Sequence, residues 1–170
     1  ADPKAWSAED GEIVGRSKVG LKRNNFAKSH MVFGDFRLIV DVKLTDNVGN
    51  SGIQFRSQRD GKHLMKGYQA DMGKGWWGKL YEEHLRKKLW DKNRDHAVKN
   101  GEWNTYEILA VGSKIRTALN GVLCVDMDDP KGARKGIFGL QVHSGGPTEV
   151  RFRNFRLELN PKFELKTKKK

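Results

Sequence analysis

Three short segments carry paired polar side chains at i, i+2 spacing: Gln54 with Arg56, Gln69 with Asp71, and Gln141 with His143. In an extended chain that spacing puts both members of a pair on one face. Apolar residues fill the alternate positions: Ile53 and Phe55, then Tyr68, Ala70 and Met72, then Leu140 and Val142. Outward polar residues are ordinary for a half-exposed sheet. Their types are less so, because the six positions hold neither Lys nor Glu. Gln, Arg, Asp and His form fixed, directional hydrogen bonds. Asp71 and His143 could transfer protons, and the other four could position a polar substrate.

A second group lies in 73–84. Trp76 and Trp77 stand side by side between glycines. Their indole faces could stack on the C–H surface of a sugar ring, or they could cover one end of the core. Tyr81, Glu82, Glu83 and His84 add a phenol, two carboxylates and an imidazole. Alternation places only one of the two glutamates on the Tyr81 face, and it favours Glu83. A carboxylate near His143 or His84 could move protons or help to hold a divalent cation. No H-E-x-x-H or comparable ligand spacing is present, and no cofactor is expected.

The elements that must position these residues read as strands. Phe36, Leu38, Val40, Val42 and Leu44 alternate with polar residues, interrupted by Ile39. Residues 52–56 alternate again. Segments 107–111, 114–119 and 122–127 follow one another, and Asn120-Gly121 joins the last two as a two-residue hairpin. Segments 137–143 and 148–159 complete the series. Val150 and Phe152 share one phase, whereas Phe155, Leu157 and Leu159 share the other, so a β-bulge is expected near Arg153-Asn154. The best helical stretch, 81–89, is short and charged. Many short strands around one core predict an all-β, two-sheet antiparallel sandwich over residues 1–160. Residues 161–170 read as a solvated basic tail.

Length and composition agree with one domain. The chain has 170 residues, 19 glycines and a net charge of +12. No apolar run approaches the roughly 20 residues that a membrane-spanning helix requires. The positive charge invites a nucleic-acid reading, but it is uneven. Residues 85–99 carry +4 and 161–170 another +4, so 25 residues hold 8 of the 12 excess charges. No zinc, helix-turn-helix or RNA-recognition pattern accompanies them, and nucleic acid is not expected as a partner. The lone cysteine, Cys124, lies in an apolar run and reads as a small buried hydrophobe. A chain that starts at Ala1 is consistent with removal of an export signal.

Seven motifs then stand in one order: Gly34-Asp35-Phe36, 49–56 (GNSGIQFR), 67–71 (GYQAD), 101–104 (GEWN), Leu119-Asn120-Gly121, 139–143 (GLQVH) and 150–155 (VRFRNF). Together they resemble the 3-keto-disaccharide hydrolase domain family. The resemblance covers about Trp6 to Leu159. It implies a concanavalin A-like lectin/glucanase jelly roll, usually in exported bacterial proteins, and action on glycosides oxidised at C3. The family's Asn-Ser-Gly-Ile-x-x-Arg falls on Asn50, Ser51, Gly52, Ile53 and Arg56. Its Gly-Tyr-Glu falls on Gly67, Tyr68 and Gln69, so that Gln69 replaces a Glu and Asp71 could take over as base. Its Leu-Gln-x-His falls on Leu140, Gln141 and His143, and the residues and the resemblance together point to Asp71 or His143 as base, with Glu83 or Glu82 as acid or ligand. Gln54, Arg56, Gln69 and Gln141 would position the sugar, and Trp76, Trp77 and Tyr81 would stack on it, with His84 nearby. The expected partner is a sugar or glycoside. A carbohydrate-binding module without catalysis is the alternative on the same sandwich.

Overall fold

The computed structural model describes residues 4–167. It contains thirteen strands in two antiparallel sheets, the sandwich that the alternation predicts. The strands are β1 (Trp6–Glu9), β2 (Glu12–Ser17), β3 (Asn25–Lys28), β4 (Phe36–Leu44), β5 (Asn50–Asp60), β6 (Leu64–Gly73), β7 (Leu80–Glu83), β8 (Lys87–Trp90), β9 (Asn104–Val111), β10 (Lys114–Leu119), β11 (Val122–Asp128), β12 (Ile137–Val142) and β13 (Thr148–Leu159). One sheet runs β1-β2-β13-β4-β9-β10-β11, and the other β3-β12-β5-β6-β7-β8. Val40, Val42, Ile53, Phe55, Tyr106, Ile108 and Phe152 fill the space between them. Among the described residues, no helix is long and apolar enough to cross a membrane.

The segment with the best helical signal is instead the β7–β8 pair. Its charges bond across a turn, where Glu82 accepts from Arg86. The expected bulge in β13 is present: its pairing with β4 shifts between Arg153 and Arg156, and Asn154 has φ 55°. Cys124 is buried, and burial pushes its thiol up to about 11. Of the basic segment 161–170, residues 168–170 lie outside the described residues, and 161–167 bond to the seven-stranded sheet. Arg37 donates to the carbonyls of Lys162 and Glu164, and Glu107 accepts from the amides of Lys166 and Thr167 at 2.9 and 2.8 Å. Arg37 and Glu107 are both buried, so these backbone bonds complete an ion pair that would otherwise be undersatisfied.

The six-stranded sheet positions the polar pairs. Its outer face is partly covered by its own hairpin, the β5–β6 connection. Lys28 Nζ holds the tip of that hairpin by donating to the carbonyls of Lys62 and Leu64. Beneath it, Met65, Phe26 and Ile137 form a small second cluster. The uncovered part of the face is a cavity.

Candidate functional site

The cavity has a volume of about 260 Å³ and is lined by Asn50, Gln69, Asp71, Trp76, Tyr81, Glu83 and His143. Strands β5, β6 and β7, the residue after β12 and the turn between β6 and β7 supply these residues. Cross-strand register sets Gln69 between Gln54 on β5 and Tyr81 on β7. Two residues along, Asp71 stands opposite Gly52. A Cβ at Gly52 would come within 2.6 Å of the Gln69 side chain, so glycine there lets Gln69 lie flat across the sheet. Gln141 lies on β12, and His143 follows its last residue, Val142, with its amide donating to the Asn50 carbonyl at 3.2 Å.

Hydrogen bonds orient the acid. Ser57 Oγ donates to Gln54 Oε1 at 2.6 Å. Gln54 Nε2 donates to Gln69 Oε1 at 3.0 Å, and Gln69 Nε2 donates to Asp71 Oδ1 at 2.7 Å. Each amide is used in one direction, so the chain of bonds ends on the carboxylate. Asp71 Oδ2 has no hydrogen-bond partner among the described residues, and the residue is only 2% exposed. Burial, with the nearby charge of Glu83, pushes the Asp71 carboxyl up to about 7, against the hydrogen bond from Gln69 and the charge of Lys79. Asp71 is therefore a carboxyl that exchanges its proton near neutrality.

His143 presents an acceptor. Its Nδ1 lies 2.6 Å from the Ser144 carbonyl, which can only accept, so Nδ1 carries the hydrogen. In the neutral ring Nε2 then holds a lone pair. Burial and the charges of Glu83 and Asp71 raise the Tyr81 phenol, which keeps its proton across the neutral range. Glu83 accepts from Asn24 Nδ2 at 3.2 Å. At the rim, Trp76 is 37% exposed, set edge-to-face against Tyr81, with Lys79 Nζ 5.0 Å from its ring centroid.

Several expected site residues lie elsewhere. Arg56 does not line the cavity. The pairing of β5 with β6 shifts between Phe55 and Gln58, and Arg56 takes φ 45°, which breaks the straight alternation. Its guanidinium is buried and bonds the carbonyls of Gly34 and Gly112 and Asp35 Oδ1, at 3.0, 2.7 and 2.8 Å. Glu82 faces the interior and pairs with Arg86, which also binds Asp129. Trp77 is 1% exposed, packs in the core, and donates from Nε1 to Asn47. His84 sits behind Glu83, with Nδ1 2.8 Å from Asp60 Oδ2 and Nε2 3.6 Å from Glu83 Oε1. Gln54 acts through Gln69 and has no surface of its own in the cavity. Gln141 is fully buried and outside the lining, and neither polar atom of its amide has a partner among the described residues.

Asn50 was the lining residue that alternation did not single out, although it opens the 50–53 motif. Asn24 gave no sequence signal, because its role arises only when the segment before β3 meets β7. Among the described residues, no group of three His, Cys, Asp or Glu is placed to hold a metal ion.

A candidate glycosyl hydrolase of Parabacteroides distasonis superposes with a TM-score of 0.69 at 22% identity, covering 94% of this chain and 92% of that one. The carbohydrate-binding module CBM66 of Bacillus subtilis superposes with a TM-score of 0.68 at 23% identity, covering 90% of each. A Bacillus subtilis protein with a galectin-like fold gives a TM-score of 0.58 at 10% identity, covering 91% and 86%. At such identities the likeness is one of fold. A search of curated proteins found no match. The sequence itself is more specific: the model of the 3-keto-alpha-glucoside-1,2-lyase-like domain matches residues 1–158. The chain belongs to that family of carbohydrate-related domains, the 3-keto-disaccharide hydrolase domain that its motifs resemble.

Proposed function

We propose that the protein cleaves 3-keto-glycosides at this cavity. The observation that carries the reading is Asp71. It is a buried carboxyl with one oxygen oriented by Gln69 and the other free, in a cavity that also presents an imidazole acceptor and a phenol donor.

The chemistry follows from the ketone. A carbonyl at C3 acidifies the C2–H bond. The Asp71 carboxylate takes that proton. Its raised affinity for a proton makes it a stronger base than an ordinary carboxylate while it remains partly ionised at neutral pH. The electron pair of the C2–H bond becomes the C1=C2 double bond, and the C1–O bond breaks. Tyr81 donates its proton to the departing oxygen. The products are an unsaturated 3-keto sugar and the free aglycone. Addition of water across C1=C2 completes a net hydrolysis: the His143 Nε2 lone pair accepts a proton from the water as its oxygen bonds to C1, protonated Asp71 returns its proton to C2, and the proton on His143 passes to the Tyr81 phenolate. Glu83 keeps Asp71 basic through its charge, and Trp76 offers its face to the sugar ring. Export to the periplasm or the cell exterior, which the family resemblance implies, belongs to the same reading.

A second reading, a binding module without turnover, draws on the exposed rim position of Trp76 and on Gln69 at the place of a family Glu. One assay separates them. Incubated with a 3-keto-glucoside, the protein is expected to release the aglycone, and Asp71→Asn to bind the sugar without releasing it. Binding by the wild type without release would leave the module reading.

A further inference from the structure

Beside the catalytic cavity lies a second one, of about 170 Å³, lined chiefly by Lys22, Arg23, Asn24, Lys62 and His63. Two distant stretches of sequence build it: the approach to β3 and the tip of the β5–β6 hairpin. The bonds from Lys28 Nζ to Lys62 and Leu64 carbonyls, at 3.3 and 2.9 Å, hold those stretches together. Asn24 is the wall between the two cavities. Its Nδ2 donates to Glu83 Oε1 at 3.2 Å, and its Oδ1 accepts from the amide of Ser144 at 2.8 Å, the residue after His143.

The charge of this cavity is unbalanced. Arg16, Arg86 and Arg151 each meet two or more carboxylates on their own surfaces. Lys22, Arg23 and Lys62 form no ion pair among the described residues. Asp60, at the base of the hairpin tip, is engaged by His84, and Glu83 bonds Asn24 from the side of the first cavity. Cations that converge on a concave surface focus a positive potential there, and they raise the local concentration of anions.

We propose that this cavity is a subsite for an anionic group, a carboxylate or a sulfate, carried by the part of the glycoside beyond the 3-keto unit. The natural substrate class is then an acidic glycoside. The inference rests on the cleavage reading of the adjacent cavity, but its binding component can be read separately.

The test uses three 3-keto-glucosides of similar shape, bearing p-carboxyphenyl, p-sulfophenyl and neutral p-carbamoylphenyl groups. At low ionic strength the wild type is expected to cleave an anionic glycoside with kcat/KM about tenfold above the neutral one, a margin that shrinks with added salt. The carboxyl and sulfo arms show which anion fits. The double variant Arg23→Gln/Lys62→Gln, altered at exposed positions, is expected to bring the anionic glycoside down to the level of the neutral one. A wild type that shows no preference, or a variant that keeps it, would overturn the subsite. Should none of the three be cleaved, calorimetric titration decides. Tighter, salt-sensitive binding of the anionic glycosides in the wild type alone keeps the subsite and discards the cleavage reading. Equal binding discards both.

Discussion

Gln69 Nε2 donates to Asp71 Oδ1 at 2.7 Å and leaves Asp71 Oδ2 free. The same amide accepts from Gln54, so its orientation is fixed from behind. A glutamate in its place could not donate in its ionised form. The amide therefore gives Asp71 a donor, where a second carboxylate would compete with it for a proton.

Converting Gln69 to Glu tests that arrangement. If ionised Asp71 is the base, wild-type kcat/KM rises with pH through about 7. In Gln69→Glu two carboxyls share the site and hold one proton between them, so the rising limb moves to higher pH by about one unit or more. A limb that stays in place would show that another group controls it.

Asp71 also has a stability signature. Its carboxyl is raised from the ordinary value of 3.8 to about 7 in the folded protein. The folded state thus keeps this proton more firmly than the unfolded state does. Its contribution is fully present below about pH 4 and is lost as pH rises through about 7. Asp71→Asn removes the titration. Its Tm is expected to exceed that of the wild type at pH 8, by an amount worth up to about 4 kcal/mol, and to lose most of that advantage at pH 4. Parallel Tm curves across this range would refute the buried-acid description.

The two tryptophans should separate cleanly. Trp77→Ala opens a hole in the core and is expected to cost about 3–5 kcal/mol of stability. Trp76→Ala leaves stability within about 0.5 kcal/mol and raises KM, because only this ring borders the cavity. Thermal melts and steady-state kinetics of the pair check both halves. Equal destabilisation would mean that Trp76 is also structural.

Arg56 should behave as a structural residue. Arg56→Ala leaves the carbonyls of Gly34 and Gly112 without their donor and opens a hole where the buried side chain stood, and it is expected to cost about 3–5 kcal/mol. Below the lowered Tm, kcat and KM per folded molecule should match the wild type. A specific loss of kcat in folded protein would return Arg56 to the site.

These residues also show what could be read before folding. The sandwich follows from period-two alternation, and the β13 bulge follows from the change of phase between Phe152 and Phe155. The same rule misled at Arg56, because the bulge after Phe55 leaves no trace in the apolar pattern. Alternation does bring Gln69 and Asp71 to the cavity, because β6 pairs in unbroken register there. Trp76 and Trp77 were not separable: a turn with Gly75 and Gly78 at φ 80° and 78° decides which ring turns inward. The basic cavity was invisible to a count along the chain, since Lys22, Arg23 and Lys62 meet only through the β5–β6 hairpin.

The most direct measurement follows aglycone release from a 3-keto-glucoside carrying deuterium at C2, beside its protiated twin and the unoxidised glucoside. The account predicts release from both 3-keto substrates, slower from the deuterated one, no release from the unoxidised glucoside, and loss of turnover in Asp71→Asn. Release from the unoxidised glucoside at a comparable rate, or turnover undiminished in Asp71→Asn, would contradict it.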